Sequence, residues 1–142
     1  MTSTTRVADV MTRNLVTVDP STTVPEAVQL MKNGGFRRLP VRREGRLVGI
    51  VTDRDLKEAM PSQATSLSIW EITYLLAKLH VGEVMSRSVI TTTDTALLSD
   101  AAYTMLKHRV GGLPVVNGSG ELVGIVTVTD VLRDYVGLPV LG

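Results

Sequence analysis

Apolar residues in this chain fall into two rhythms. Short runs bounded by Gly-containing turns predict strands: Arg38–Arg42 with Leu47–Thr52, and Leu113–Val116 with Leu122–Thr127, each pair reading as a hairpin. Two briefer β-prone runs, Leu15–Val18 and Val89–Thr92, precede them. Elsewhere the apolar positions recur at three- and four-residue steps, the spacing of one helix face. Val24, Ala27, Val28 and Met31 form such a face, opened by the capping box Thr23-x-x-Glu26 and closed by Gly34-Gly35. Ala101, Ala102, Met105 and Leu106 form another, ending near Gly111-Gly112. A further helix follows each hairpin, over 53–60 and 128–135. In each half the predicted order is strand, helix, strand, strand, helix.

The two halves are copies. Val7-Ala-Asp-Val-Met-Thr-Arg13 returns as Val81-Gly-Glu-Val-Met-Ser-Arg87, and Leu39-Pro-Val41 returns as Leu113-Pro-Val115. Gly45-Arg-Leu-Val-Gly-Ile-Val-Thr52 returns as Gly120-Glu-Leu-Val-Gly-Ile-Val-Thr127, one residue later, because the second hairpin turn is longer. Pro40 and Pro114 donate no ladder hydrogen bond, so their strands are expected at an edge or beside an irregularity. The implied division is a first repeat over 1–60, a connecting segment over 61–80 and a second repeat over 81–142. The fold class expected is α+β: two pseudo-symmetric repeats, packed sheet to sheet because one copy alone would leave an apolar face uncovered. In the connecting segment Ser68-x-x-Glu71 caps an amphipathic helix with Ile69, Ile72, Leu75, Leu76 and Leu79 on its stripe. That stripe suits packing on the repeats or on a second subunit, or service as a lid or docking helix.

Composition removes several function classes. At 142 residues the chain is too short for a (β/α)₈ barrel, which needs ~250. Fifteen basic against 14 acidic residues leave a formal charge of +1, and only five residues are aromatic, so neither counterion release nor base stacking points to nucleic acid. The chain has no cysteine, and its two histidines lie far apart, so no metal site is expected. No leader-like or membrane-spanning run is present, and a cytoplasmic location is the expectation. Neither a Gly-x-Ser-x-Gly elbow nor a Walker loop occurs, and Asp53 and Asp55 point apart on a helix, so no catalysis is expected.

The chemistry concentrates where Thr52 and Thr127 end an apolar strand and open a helix. Free N–H groups and the positive dipole end favour an anion there, and the hydroxyl adds a donor. Asp55 and Asp130, three residues on, can each accept hydrogen bonds from both hydroxyls of a ribose. Val16, Val41, Val89 and Val115 are candidates for an apolar slot beside it, and backbone groups beside Pro40 and Pro114, left unpaired, would read the polar edge of a ring held there. The same Thr-x-x-Asp spacing is also a capping box, and the two roles are compatible. The halves differ in charge: Val7–Met60 holds nine basic and seven acidic residues, Val81–Val136 four and six. Arg37, Arg38 and Arg54 are the phosphate candidates of the first half, while Arg42, Arg43 and Arg46 read as a solvated hairpin face. His108 and Arg109 are the candidates of the second, although a histidine at a helix end also suits the dipole.

These features resemble the cystathionine-β-synthase (CBS) domain in its tandem form, the Bateman module. The marks are Asp9-Val-Met11 and Glu83-Val-Met85, the two Leu-Pro-Val triplets, and Gly49-Ile-Val-Thr-Asp-Arg-Asp55 with Gly124-Ile-Val-Thr-Val-Thr-Asp130. Ala64–Glu71 is also similar to bacterial acetoin-utilisation-type CBS proteins, which commonly carry an additional ACT domain. The resemblance implies a regulatory module that binds an adenosine-containing ligand (AMP, ADP, ATP or S-adenosylmethionine) between its repeats and signals to a partner protein, with no catalytic cofactor, and acts as a homodimer. The alternative is a dimerisation adapter with degenerate clefts. The expected contacts are Val16, Thr17, Arg37, Arg38, Leu39, Pro40, Val41, Thr52, Arg54 and Asp55 in the first half. In the second they are Thr91, His108, Arg109, Leu113, Pro114, Val115, Thr127 and Asp130.

Overall fold

The computed structural model describes residues 4–60 and 66–139. Helices α1 (Val7–Val10), α2 (Val24–Gly34), α3 (Asp53–Ala59) and α4 (Ile69–Ala77) lie in the first part of the chain, with strands β1 (Arg38–Arg43) and β2 (Arg46–Thr52). Then come α5 (Val81–Val84), β3 (Thr92–Thr93), α6 (Leu98–His108), β4 (Gly112–Val116), β5 (Leu122–Thr127) and α7 (Val128–Val136). This is the α+β content the two sequence rhythms predict, with the helix-hairpin-helix order duplicated; the leading strand forms only in the second half, as β3. Of the connecting segment, residues 61–65 lie outside those described; α4 follows them, and its Ser68–Glu71 capping box forms with bonds of 3.2 and 3.3 Å. Among the described residues no helix is long and apolar enough to cross a membrane.

Contacts divide the chain into two compact units, and the division does not follow the sequence repeats. One unit runs Val16–Val89; the other joins the residues up to Leu15 with those from Ile90 onward. The leading Val-Met segments explain this. Met11-Thr12 opens the first repeat in sequence, yet Thr12 exchanges two backbone hydrogen bonds with Ile125, at 2.8 and 3.0 Å. Met85-Ser86 opens the second, and Ser86 makes the same pair of bonds with Ile50, at 2.9 and 3.0 Å. Each repeat's first turn therefore completes the sheet of the other.

The glycines of the Gly-Ile-Val strands make this approach possible. A Cβ on Gly49 would lie 2.6 Å from Met85 Sδ and 2.8 Å from the Ser86 carbonyl oxygen. On Gly124 it would lie 2.7 Å from Met11 Sδ and 3.0 Å from the Thr12 carbonyl oxygen. Only glycine admits a chain this close.

In the Val16–Val89 unit, β1 and β2 form an antiparallel hairpin whose register shifts between Val41 and Arg42. The prediction of an irregularity beside Pro40 is met, but β1 is not an open edge. Val18 N donates to Pro40 O, and Arg42 N donates to Val18 O, on the side away from β2. The Leu15–Val18 run contributes only this one bridge, not a strand. In the other unit β4 is central in the order β3-β4-β5, with the matching shift between Val115 and Val116. For Pro114 too the irregularity is the alternative met, since β3 pairs in parallel with β4 through Thr92 and Thr93 and β4 is not an edge.

Each unit holds its own core. Val18, Val24, Ala27, Met31, Leu39, Val41, Val51, Leu56 and Val81 fill one. Val7, Val10, Met11, Leu98, Ala101, Met105, Leu113, Val115 and Val126 fill the other. Their membership repeats the exchange, since Val81 joins the first core and Val7 the second. Gly35 ends α2 in the left-handed conformation (φ 67°) as its spacing predicts. α6 stops sooner than the Gly111-Gly112 pair suggests: Arg109 takes the left-handed cap, at φ 55°.

Candidate ligand-binding site

Both Thr-x-x-Asp sequences form reciprocal caps. Thr52 N donates to Asp55 Oδ2 at 2.9 Å, and Asp55 N donates to Thr52 Oγ1 at 3.1 Å. In the second copy Thr127 N and its hydroxyl donate to Asp130 Oδ2 at 2.8 and 3.0 Å, and Asp130 N donates to Thr127 Oγ1 at 3.3 Å. The capping role is therefore real in both. It occupies one carboxylate oxygen: among the described residues, Oδ1 of Asp55 and Oδ1 of Asp130 accept no protein hydrogen bond. The cap fixes the rotamer of each carboxylate and leaves its second oxygen to accept from something else.

The surroundings of the two carboxylates differ. Asp130 is 6% exposed and lines a cavity of about 270 Å³, bounded also by Thr5, Asp9, Val10, Arg133, Asp134, Leu138 and Pro139. Asp55 is half-buried, and the hairpin register sets Arg38, itself half-buried, directly opposite Thr52. Gly112 stands in the matching place opposite Thr127. The Arg37 carbonyl accepts from Asp53 N at 2.9 Å, which ties the start of β1 to the first residue of α3. The charge difference between the halves thus reaches the motif itself: a guanidinium-bearing residue faces one threonine and a glycine the other.

The remaining expected contacts separate into accessible and enclosed groups. Val16, Thr17, Arg37, Thr91, His108 and Arg109 all keep exposed or half-buried surface. Leu39, Val41, Leu113 and Val115 are 0% exposed, and Pro40 and Pro114 are buried. Val41 and Val115 belong to the cores, whereas Val16 and Val89 retain surface. The Pro40 carbonyl, expected to be unpaired, is taken by Val18. Arg54 points its charge elsewhere, pairing with Glu58 at 3.2 Å on the exposed face of α3. His108 and Lys107 sit in the last turn of α6, where a cation suits the dipole.

The cavity at Asp130 also contains residues that the sequence reading passed over. Arg133 and Asp134 lie three and four positions beyond Asp130, on the same face of α7. Asp9 belongs to the repeated Asp/Glu-Val-Met element and accepts from Arg6 N at 2.8 Å. Helical spacing alone was enough to mark the first two. Asp9 needed the exchanged packing.

A family model for the CBS domain matches residues 7–62 and again 81–137. Among curated proteins the chain is 32% identical over 134 residues to the uncharacterized protein MJ1225 of Methanocaldococcus jannaschii, covering 89% of this chain and 46% of that one. It therefore spans about half of that relative's length. Among solved structures, CBSX2 of Arabidopsis thaliana in complex with AMP is 34% identical, with TM-score 0.77 over 94% of this chain and 97% of that one. The CBS domain pair of protein MJ0100, in complex with 5′-methylthioadenosine and S-adenosyl-L-methionine, is 29% identical with TM-score 0.72, covering 94% and 97%. A Vibrio cholerae protein whose name links it to acetoin utilization, AcuB, is 32% identical with TM-score 0.77, covering 93% and 90%.

Proposed function

The chain belongs to the CBS domain family and carries two copies of its domain, and from that premise we propose that it is a non-catalytic regulatory module for an adenosine-containing ligand. Occupancy shifts its conformational equilibrium, and a partner protein reads the shift. The ligand class is AMP, ADP, ATP or S-adenosylmethionine, and the module works in the cytoplasm as a homodimer.

One observation carries this reading: each Thr-x-x-Asp cap holds a carboxylate in place through one oxygen and leaves the other without a protein partner among the described residues. A carboxylate fixed in this way is preorganised to accept from a ribose hydroxyl, and a charge-assisted bond of that kind contributes ~1.5–3 kcal/mol. The AMP complex of CBSX2 and the 5′-methylthioadenosine and S-adenosyl-L-methionine complex of MJ0100 support the adenosine class. Arg38 opposite Thr52 supports a phosphate-bearing ligand at the first motif.

Calorimetry and thermal shift with AMP, ADP, ATP and S-adenosylmethionine test the proposal. At least one ligand is expected to bind below millimolar concentration and to raise the unfolding temperature, as a ligand of the folded state must. Asp55→Asn and Asp130→Asn keep an oxygen for the cap while removing the charge. Whichever copy is occupied should lose about tenfold or more in affinity, with the fold intact. If none of the four ligands binds the unsubstituted chain at millimolar concentration, the sensor reading fails and the adapter reading takes its place.

A further inference from the structure

The cavity beside Asp130 carries more acid than the capping motif requires. Asp130 is 6% exposed, and its Oδ1 accepts no protein hydrogen bond among the described residues. Among those residues no side-chain oxygen is sealed from solvent without a partner, so Oδ1 opens onto the cavity that Asp130 lines. Asp134 lines it one turn further along α7, about 6 Å away, and Asp9 lines it from α1. Arg133 is the one cation in that lining. It makes no ion pair with the three carboxylates; among the described residues the ion pair formed is Arg54–Glu58, in the other unit. Arg6, close to Asp9 in the chain, turns its guanidinium to the Thr95 carbonyl oxygen at 3.1 Å. Three carboxylates against one guanidinium leave the cavity lining a formal charge of −2.

These acids do not gather round a metal: among the described residues no group of three His, Asp or Glu side chains is placed to hold one. They act on a ligand as a field. At about 270 Å³ the cavity is small beside the ~300–1,000 Å³ of most small-molecule sites, so a substituent of the ligand has little room to leave that field. A phosphate held within several ångströms of a partly buried carboxylate loses on the order of tenfold in affinity for each such charge. An uncharged or cationic group in its place loses nothing or gains.

The other copy is built differently. Asp134 corresponds to Ala59, and Gly112 to Arg38, which stands directly opposite Thr52. Asp9 corresponds to Glu83, so that charge is common to both copies. Glu58, in the place of Arg133, is paired with Arg54 at 3.2 Å. The two copies therefore part at Asp134 and at Arg38.

We infer that the Asp130 cavity selects an adenosine derivative whose 5′ substituent is uncharged or cationic, and that Asp134 is the residue that turns phosphate away. This rests on the adenosine reading above and names the charge of the ligand at one of its two motifs.

Calorimetry on the full chain with adenosine, AMP and S-adenosylmethionine tests it, because the three share base and ribose and differ in charge at the 5′ end. Asp55→Asn weakens the first copy, so the tightest remaining event reports the second, and adding Asp130→Asn should abolish or weaken that event. In Asp55→Asn, adenosine and S-adenosylmethionine should bind at least tenfold more tightly than AMP. Asp134→Ala in the same background installs the residue of the other copy and should narrow the gap between adenosine and AMP about tenfold. Asp134→Glu keeps the charge and should keep the gap. A merely structural role for Asp134 would move both affinities together and leave their ratio as it was. If none of the three ligands binds the unsubstituted chain at millimolar concentration, the adenosine reading fails and the selectivity with it. If they bind that chain, the adenosine reading stands, and the selectivity is refuted by any of three results: Asp55→Asn binds none of them, it binds AMP as tightly as adenosine, or Asp134→Ala leaves the ratio unchanged.

Discussion

Replacing Gly124 with alanine probes the exchanged packing directly. The new Cβ would stand 2.7 Å from Met11 Sδ, 3.1 Å from Met11 Cγ and 3.0 Å from the Thr12 carbonyl oxygen, where ordinary contact begins at 3.4 Å. Met11 is 3% exposed and has little space in which to swing aside. Thr12 is held to Ile125 by bonds of 2.8 and 3.0 Å, so retreat of the segment stretches both. Overpacking of this kind costs ~1–3 kcal/mol, and weakening two backbone bonds adds up to ~1 kcal/mol each. The alanine recovers only ~0.5–1 kcal/mol of backbone entropy. The balance is a loss of about 2 kcal/mol, or ~6–8 °C in Tm for a chain of this size. Urea unfolding of Gly124→Ala beside Gly118→Ala measures it. Gly118 has nothing within 4 Å of its Cβ position, so its substitution should be neutral within about 0.5 kcal/mol. In a Met11→Ala background the Gly124→Ala penalty should shrink by roughly 1 kcal/mol, because the sulfur it strikes is gone. A Gly124→Ala protein as stable as the original would refute the close-approach account of the repeated glycine.

Two other outcomes follow from backbone and side-chain geometry. Arg109 caps α6 at φ 55°, where glycine is at ease and arginine is strained, so Arg109→Gly should raise stability by about 1 kcal/mol in the same urea assay; a loss would show that the side chain contributes more than its strained backbone costs. The Asp19 carboxylate accepts from Ser21 N and the Ser21 hydroxyl, both at 2.8 Å, and these bonds hold its pKa below the ordinary 3.8. A lowered folded-state pKa means that its contribution to stability is present above pH 3.8 and is lost as the pH falls through the folded value. Carboxylate NMR titration should place the Asp19 midpoint below that of a Ser21→Ala variant, and coincident midpoints would contradict the assignment.

The legible parts of the fold were those encoded within a few residues. The Thr23, Thr52, Ser68 and Thr127 capping boxes were readable because a capping box spans three positions of one segment. The hairpins and the irregularity beside each proline were readable for the same reason. What escaped was long-range. Nothing in Met11 or Met85 announces that each packs on the other repeat's glycine strand, because identical repeats offer identical partners in sequence. Val41 and Val115 share the β-branched chemistry of a ligand slot, and only packing against α2 or α6 neighbours decides that they are core. Arg109 at the α6 terminus went unread because two glycines just beyond it offered the usual stop signal.

The bridges from Thr12 to Ile125 and from Ser86 to Ile50 also bear on solubility. β2 and β5 are the outer strands of their hairpins, and their free backbone edges are the kind that recruit other chains into aggregates. A single residue from the opposite repeat occupies the middle of each edge and blocks that recruitment. A fragment ending at residue 60 would keep β2 paired with β1 but carry its outer edge without this guard. The duplication therefore protects its own sheets, each half keeping the other from sticking to strangers.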